Sequence, residues 1–230
     1  MKKIVLVLFV IITQLLQAQD KSTLADLPLI TSSVISDKKT FILYVSGDGG
    51  WNTFNKNLVA KLVSRGYSVV TIDSKKYFWN GRTPDEFAET VARIAKYYLK
   101  TWGKKNFLLV GYSFGADVAA FVPARLPSEI KEKLQYTILV SPALSTDYEV
   151  RIMDMLWANN TVLRKYSIKA ELKKFTSPAL CIFGTEEDNQ LKNELPANPM
   201  IHRKDIAGTH DFDDDYEMVA IAITENLDTN

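Results

Sequence analysis

The sequence predicts an α/β fold in which helices cover both faces of a mostly parallel sheet. Two observations lead to this prediction: continuous apolar runs have the length of strands, and segments with the apolar period of a helix alternate with them. Continuous runs, unlike alternating ones, are typical of strands that are buried on both faces. The predicted strands of this kind are residues 41–45, 68–72, 107–110, 136–140, 179–183 and 200–206.

Proline and glycine define the first elements of the chain. Residues 27–30 are apolar but include Pro28, which fits a short strand at the edge of the sheet. The first helix has Leu58 and Leu62 on its apolar face. It is expected to end at Gly66, because glycine readily adopts the left-handed conformation of a helix cap.

The strongest helix signal comes later in the chain. Residues 83–86 read Thr-Pro-Asp-Glu, a capping box with proline at the first helical position, and Gly103 ends this helix. Further helices are predicted at 116–125 and 216–226. Residues 144–178 are expected to hold one or two helices, and the pattern leaves open whether they form a small lid.

Composition excludes several classes of protein. The chain has 28 basic and 27 acidic residues, so its net charge of +1 gives no strong field to attract nucleic acid. A single cysteine excludes an internal disulfide, and two histidines exclude a three-histidine metal site. Neither a metal nor a cofactor is expected.

The first 18 residues resemble a secretory signal peptide. Lys2 and Lys3 precede an apolar run at 4–12, and Ala18 provides a small residue for cleavage. The run is too short for an ordinary membrane span, and an uncleaved amphipathic anchor is the alternative. The expected protein is therefore periplasmic or secreted, with residues 19–230 forming one domain.

The motif Gly111-x-Ser113-x-Gly115 lies between a predicted buried strand and a predicted helix. This is the setting of a nucleophile elbow in α/β-hydrolases, where glycines permit a sharp turn that exposes the serine hydroxyl. The alternative is an ordinary βα turn in which Ser113 caps the helix. The elbow interpretation predicts an α/β-hydrolase fold with Ser113 as the nucleophile.

A serine nucleophile needs a base and an acid that orients it. His202 lies within the last predicted strand, whereas His210 follows that strand, where the hydrolase order of serine, acid and histidine places the base. Asp188, after the strand at 179–183, is the first choice for the acid. Glu187 is the alternative, and Asp147, one strand earlier, is a second possibility.

Residues 46–50, Ser-Gly-Asp-Gly-Gly, follow the first buried strand, where this fold supplies part of an oxyanion hole. Backbone N–H groups of Asp48 or Gly49 and of Phe114 are the expected donors. The rival interpretation is a phosphate-binding turn. It is disfavoured because the segment lacks the Lys-Ser/Thr of a P-loop.

Five blocks of sequence carry a further signal: residues 46–51, 73–84, 111–118, 186–188 and 212–216. Together they resemble the VirJ/AcvB family of bacterial virulence-associated α/β-hydrolases. Where that family often has His-His before Phe-Asp, this chain has His-Asp at 210–211, which favours the first position as the base. The resemblance implies a periplasmic protein. It also implies either hydrolysis of the aminoacyl ester of lysyl-phosphatidylglycerol or a link to type IV secretion substrates.

Two groups of residues are candidates for substrate binding. Tyr77, Phe78 and Trp79 lie in a loop at the ligand-binding edge of the sheet, where they could contact lipid, although core packing is the alternative. Trp51 is a further candidate for substrate binding. Acidic side chains predicted at the same edge suit a cationic headgroup, with a solubilising rim as the alternative. They are Asp147, Glu149, Glu186, Glu187, Asp211, Asp213, Asp214 and Asp215.

These observations predict a serine hydrolase that acts on a small-molecule or lipid-headgroup ester, with peripheral membrane contact as an option. The alternative is a non-catalytic periplasmic chaperone or adaptor that uses the hydrolase fold to bind type IV secretion substrates. The presence of a serine, candidate acids and a histidine in the hydrolase order favours the enzyme.

Overall fold

The computed structural model describes residues 24–150 and 164–225. The strands are β1 (Leu29–Ser32), β2 (Thr40–Val45), β3 (Val69–Ile72), β4 (Asn106–Tyr112), β5 (Leu134–Val140), β6 (Ser145–Thr146), β7 (Tyr166–Ser167), β8 (Ala179–Gly184) and β9 (Ile201–Ile206). The helices are α1 (Thr53–Ser64), α2 (Ser74–Tyr77), α3 (Pro84–Thr101), α4 (Phe114–Ala119), α5 (Ser128–Lys131), α6 (Ile168–Leu172), α7 (Gln190–Asn193) and α8 (Tyr216–Thr224), with a 3₁₀ turn at Phe212–Asp214.

Seven strands form one sheet in the order β1-β3-β2-β4-β5-β8-β9. Only β1 runs antiparallel to its neighbour in this sheet, and the other pairs are parallel. Strands β6 and β7 form a separate antiparallel pair. The predicted mostly parallel sheet is therefore confirmed, and β1 begins immediately after Pro28 at the edge position that proline favours.

Two apolar cores cover the two faces of the sheet. Phe41 and Leu43 of β2 point into the core under α3, α4 and α6, whereas Ile42 and Tyr44 point into the core under α1 and α8. Successive residues of a strand face opposite sides, so a strand between two helical layers must be apolar throughout. All six residues of β2 are buried.

The capping box at the start of α3 is present as predicted, with Thr83 accepting from the backbone of Glu86 and the Glu86 side chain accepting in return. The helix predicted at 116–125 is shorter, because α4 ends at Ala119. Pro123 lacks the N–H that a further turn would need, and the chain leaves the helix before reaching it.

Two sequence predictions fall wholly or partly outside the described residues: the signal peptide at 1–18 and, at 151–163, the segment in which a lid was considered. Within the described ranges, that segment contributes only β6, β7 and α6. None of the helices seen in those ranges is long and apolar enough to cross a membrane.

Candidate active site

Ser113 occupies a strained turn between β4 and α4. Its backbone has φ 53° and ψ −124°, a conformation that side-chain-bearing residues rarely adopt. The flanking glycines are required by close backbone contacts. A Cβ on Gly111 would lie 2.3 Å from the carbonyl oxygen of Gly115, and a Cβ on Gly115 would lie 2.2 Å from that of Val45. The Ser113 side chain makes no capping bond to α4, so the geometry is that of an elbow and not of an ordinary capped turn.

His210 lies in the loop after β9, with its ring about half exposed. Its Nε2 is 2.9 Å from Ser113 Oγ, and its Nδ1 is 2.7 Å from Glu187 Oε1. A carboxylate can only accept, so Nδ1 donates to Glu187 and Nε2 accepts from the serine hydroxyl. His202, by contrast, is exposed on β9. The structure thus joins Ser113, His210 and Glu187 in one hydrogen-bonded line.

The prediction of Asp188 as the acid is wrong. The alternative, Glu187, is the carboxylate that is hydrogen-bonded to His210. Both follow β8, but consecutive residues of this turn point in different directions. The Glu187 side chain is 6% exposed and reaches His210, whereas Asp188 is exposed to solvent. Asp147 is also excluded from this position, because its carboxylate lies 3.9 Å from Arg164 Nη1 and accepts from the backbone of Lys165.

The hydrogen-bonded line favours proton transfer from serine to histidine. Burial alone would raise the pKa of Glu187, but hydrogen bonds from His210, Asn189 and Ser141 outweigh it and lower the pKa, so the group is an anion at neutral pH. Burial alone would lower the pKa of His210, but the hydrogen bond and charge of Glu187 outweigh it and raise the pKa. His210 is therefore a stronger base than a free imidazole.

The loop after β2 lies alongside the nucleophile. A Cβ added to Gly47 would be 3.6 Å from Ser113 Cβ. The N–H of Gly49 donates to Asp48 Oδ1 at 2.8 Å, which removes Gly49 from the expected oxyanion donors and leaves Asp48. Phe114 is the first residue of α4, where N–H groups have no partner within the helix.

Side chains from two helices fix this loop from behind. The fully buried amide of Asn55 donates to the Gly50 carbonyl at 2.9 Å and accepts from the Tyr44 hydroxyl. On the other side, Ser74 Oγ donates to the Ser46 carbonyl at 2.6 Å. A loop held at both ends can present its N–H groups in one orientation, as an oxyanion hole requires.

The aromatic candidates divide into buried and exposed residues. Tyr77 and Phe78 are buried, and the Tyr77 hydroxyl donates to Thr90 Oγ1 at 2.7 Å. The prediction that these two side chains contact a ligand is therefore wrong, and the core-packing alternative holds. Trp51 is partly buried against the core under α1. Trp79 is 48% exposed and is the aromatic candidate that remains available to a ligand.

Most of the predicted acidic side chains have local partners, although the four at 211 and 213–215 are all exposed to solvent. Asp213 accepts from the backbone and hydroxyl of Thr209, and Asp211 accepts from the same hydroxyl. Asp215 caps α8, and Asp214 accepts from Tyr216. Hydrogen bonds to neutral groups do not cancel charge, so these four carboxylates still make this edge negative.

Asp117 is a functional candidate that the sequence analysis overlooked. It lies in the first turn of α4, is 7% exposed, and accepts from the backbone N–H of Ala143 at 2.6 Å. Burial raises its pKa to about 7, although the Ala143 hydrogen bond and the charge of His210 oppose this. An acid in the first turn of a helix is common, so only the packing around it reveals its unusual state.

Replacing Asp117 with asparagine should change how stability depends on pH. The folded-state pKa of about 7 exceeds the usual 3.8, so this group's contribution to stability is complete below the lower value and is lost as pH rises through the higher one. Asp117→Asn cannot ionise but keeps an acceptor for Ala143. Thermal unfolding should show that wild type loses more stability than Asp117→Asn between about pH 5 and about pH 8. Equal losses in the two proteins would contradict an ionisable buried acid.

The protein has the α/β-hydrolase fold. Its candidate active site holds a serine, a histidine and a carboxylate, hydrogen-bonded in that order. The chain belongs to the VirJ family of bacterial virulence proteins, whose family model matches residues 39–230. A comparison with curated protein sequences gives no match.

Solved structures share the fold at low sequence identity. MenH from S. aureus is 14% identical with a TM-score of 0.62, covering 87% of this chain and 97% of that one. Est1E from Butyrivibrio proteoclasticus with bound ferulic acid is 13% identical with a TM-score of 0.61, covering 87% and 94%. A lipase-esterase related protein from Clostridium acetobutylicum is 17% identical with a TM-score of 0.60, covering 87% and 99%.

Proposed function

We propose that this chain is a serine hydrolase that cleaves an ester. The observation that carries the proposal is the continuous hydrogen-bonded line from Ser113 Oγ through the His210 ring to the Glu187 carboxylate. This arrangement activates an alcohol as a nucleophile without a metal or cofactor. Among the solved structures that share the fold, the lipase-esterase related protein and Est1E with bound ferulic acid agree with an ester substrate.

The reaction follows from these contacts. His210 Nε2 accepts the hydroxyl proton as Ser113 Oγ attacks the ester carbonyl carbon, and Glu187 stabilises the imidazolium that forms. The N–H groups of Asp48 and Phe114 bind the negative oxygen of the tetrahedral intermediate. When the intermediate collapses, His210 returns its proton to the departing alcohol. Water then attacks the acyl-serine by the same route and releases the acid.

A fluorophosphonate probe tests the activity directly, because it reacts with activated serines. The purified chain should be labelled at Ser113, and phenylmethylsulfonyl fluoride added beforehand should block the labelling. Absence of labelling in folded protein would contradict the hydrolase proposal. It would favour the alternative, a periplasmic adaptor for type IV secretion substrates that uses the fold only for binding.

For the substrate, we propose an aminoacyl ester with a cationic side chain, such as the lysyl ester of phosphatidylglycerol. The family resemblance suggests this class, and charge near the nucleophile supports it. Burial raises the pKa of the Tyr112 hydroxyl, and the carboxylates of Asp211, Glu187 and Asp48 raise it further. The Tyr112 ring lies 5.6 Å from the ring of His210, so these carboxylates act close to the reacting groups.

The charge hypothesis predicts a preference that salt weakens. The chain should hydrolyse lysyl esters with a higher kcat/KM than alanyl esters at low salt, because a carboxylate field attracts the extra ammonium group. The preference should shrink as the screening length falls to about 8 Å at physiological ionic strength. Steady-state kinetics on matched lysyl and alanyl esters across a salt series measure it.

A double variant tests whether carboxylates near the nucleophile cause the preference for the lysyl ester. Asp211→Asn with Asp214→Asn should raise KM more for the lysyl ester than for the alanyl ester. The matched control, Glu129→Gln with Glu132→Gln, changes the same net charge at exposed positions near α5 and should leave the ratio unchanged. Equal kcat/KM for both esters at low salt would contradict the hypothesis and leave the acidic side chains as a solvated rim.

The remaining predictions about location and partners stay proposals. A cleaved signal peptide at 1–18 would place the protein in the periplasm or outside the cell. Trp79, the exposed aromatic residue after α2, is the side chain we propose for peripheral contact with a membrane that holds a lipid substrate. A secretion-system partner rests on the family resemblance alone.

A further inference from the structure

Ser141 follows the last residue of β5 and lies between the two loops that carry Glu187 and His210. It is 2% exposed. Its Oγ is 3.0 Å from Glu187 Oε2 and 3.4 Å from the backbone carbonyl of His210. We propose that Ser141, together with Asn189, is a positioning residue that holds the Glu187 carboxylate against His210. An effect of this role on catalysis depends on the proposed function, whereas its effect on the pKa of His210 does not.

The two oxygens of Glu187 are each held by two donors. Oε1 accepts from His210 Nδ1 at 2.7 Å and from Asn189 Nδ2 at 3.0 Å. Oε2 accepts from Ser141 Oγ at 3.0 Å and from the backbone N–H of Gly184 at 3.3 Å. A carboxylate offers about four acceptor positions, so this set occupies all of them. The carboxylate can neither rotate nor withdraw without losing a hydrogen bond.

Both positioning side chains are themselves anchored. The backbone N–H of Ser141 donates to the carbonyl of Ile182 at 2.8 Å, which ties the end of β5 to β8. The Asn189 amide also donates to the Pro142 carbonyl at 2.9 Å, and its oxygen caps α7 by accepting from Lys192. The donors are therefore fixed independently of Glu187 and can determine where it lies.

The backbone of Ser141 points to a role for its hydroxyl group. Its φ is 50°, in the left-handed region where glycine is more stable than any residue with a side chain. A residue that served only the turn would be better as glycine. Serine at this place costs stability and supplies one thing that glycine lacks, the Oγ that contacts Glu187.

A glutamate needs this support more than an aspartate would. Its side chain has one more rotatable bond, so more freedom must be removed to keep its carboxylate on the imidazole. In the folded chain His210 also faces Asp117 from α4 and Asp211 from its own loop, and its ring lies 5.6 Å from that of Tyr112. Neither of these other carboxylates makes a hydrogen bond to the ring, so Glu187 is the carboxylate that most strongly raises the proton affinity of His210.

NMR titration of histidine-labelled protein provides a readout that needs no substrate. The chain has only two histidines, so the His210 signal is readily assigned. In Ser141→Gly and Ser141→Ala, the pKa of His210 should fall towards its ordinary value, because a less constrained Glu187 stabilises the imidazolium less. Fluorophosphonate labelling should slow roughly tenfold, as expected for one lost hydrogen bond to a charged group.

The same variants separate positioning from folding. Ser141→Gly relieves the left-handed backbone that Ser141→Ala retains, so its melting temperature should exceed that of Ser141→Ala although both lower the His210 pKa. Asn189→Ser keeps a cap for α7 but is too short to reach Glu187, and it should give the same pKa change. The control Ser145→Ala removes a hydroxyl at another buried serine, whose Oγ accepts from the backbone N–H of Arg164, and should leave His210 unchanged.

The sign of the pKa change decides the proposal. If Glu187 lost one donor but stayed in place, its negative charge would be less neutralised by hydrogen bonds. It would then stabilise the imidazolium equally or better, so the His210 pKa would stay the same or rise. An unchanged or higher pKa in both Ser141 variants therefore overturns the positioning role. If the pKa falls as expected but no variant, wild type included, reacts with the probe, the coupling stands and the hydrolase proposal fails.

Discussion

Ser113→Ala should abolish ester hydrolysis and probe labelling in a protein that remains folded. The hydroxyl is the attacking atom in the proposed reaction, so its loss should reduce kcat/KM by about 10⁴-fold or more on any ester that wild type cleaves. Alanine has the same backbone preferences as serine at φ 53°, and the Ser113 side chain makes no capping bond, so stability should change little.

A second variant separates the nucleophile from the turn. Ser113→Gly should be just as inactive, but it should be more stable than Ser113→Ala by about 1–3 kcal/mol, because glycine relieves the strained conformation. Denaturant unfolding of both variants beside kinetics gives the two results together. Retention of most of the wild-type turnover in Ser113→Ala would place the chemistry elsewhere. A chaperone would keep its partner binding in both variants.

Much of the fold and two members of the candidate site could be predicted because their signals are local. A strand buried on both faces must be apolar at every position, and β2 satisfies this throughout. The elbow around Ser113 is marked by Gly111 and Gly115, where a Cβ would collide with backbone. His210 follows the last strand, so chain order alone locates it among two histidines.

Other members of the site could not be predicted because their states depend on contacts between distant segments. Glu187 and Asp188 are adjacent carboxylates in one turn, and only the folded chain shows which one points to His210. Asp117 looks like an ordinary acid at a helix start until the loop at Ala143 buries it. Ser141 has a positive φ, and a serine gives no sign of this in the sequence as a glycine would.

The choice between the two acids has a large expected effect. Glu187→Gln should reduce kcat by about 10⁴-fold, because an amide cannot carry the charge that stabilises the imidazolium and can present a donor to Nδ1. Asp188→Asn is the matched control: it removes the same charge one residue away, at an exposed position without a bond to His210. Steady-state kinetics should show near-normal turnover for this control.

The pH profile then tests whether Glu187 acts through His210. Catalysis requires the neutral imidazole, and Glu187 raises the His210 pKa, so wild-type kcat/KM should fall on the acid side with a midpoint above the ordinary histidine value of 6.5. Removing the Glu187 charge lowers that pKa, so the remaining activity of Glu187→Gln should persist to lower pH, while Asp188→Asn keeps the wild-type midpoint. Two results would contradict this role of Glu187: a large loss of turnover in Asp188→Asn, or an acid-side midpoint that is the same in Glu187→Gln as in wild type. Either would mean that the carboxylate hydrogen-bonded to His210 does not raise its basicity.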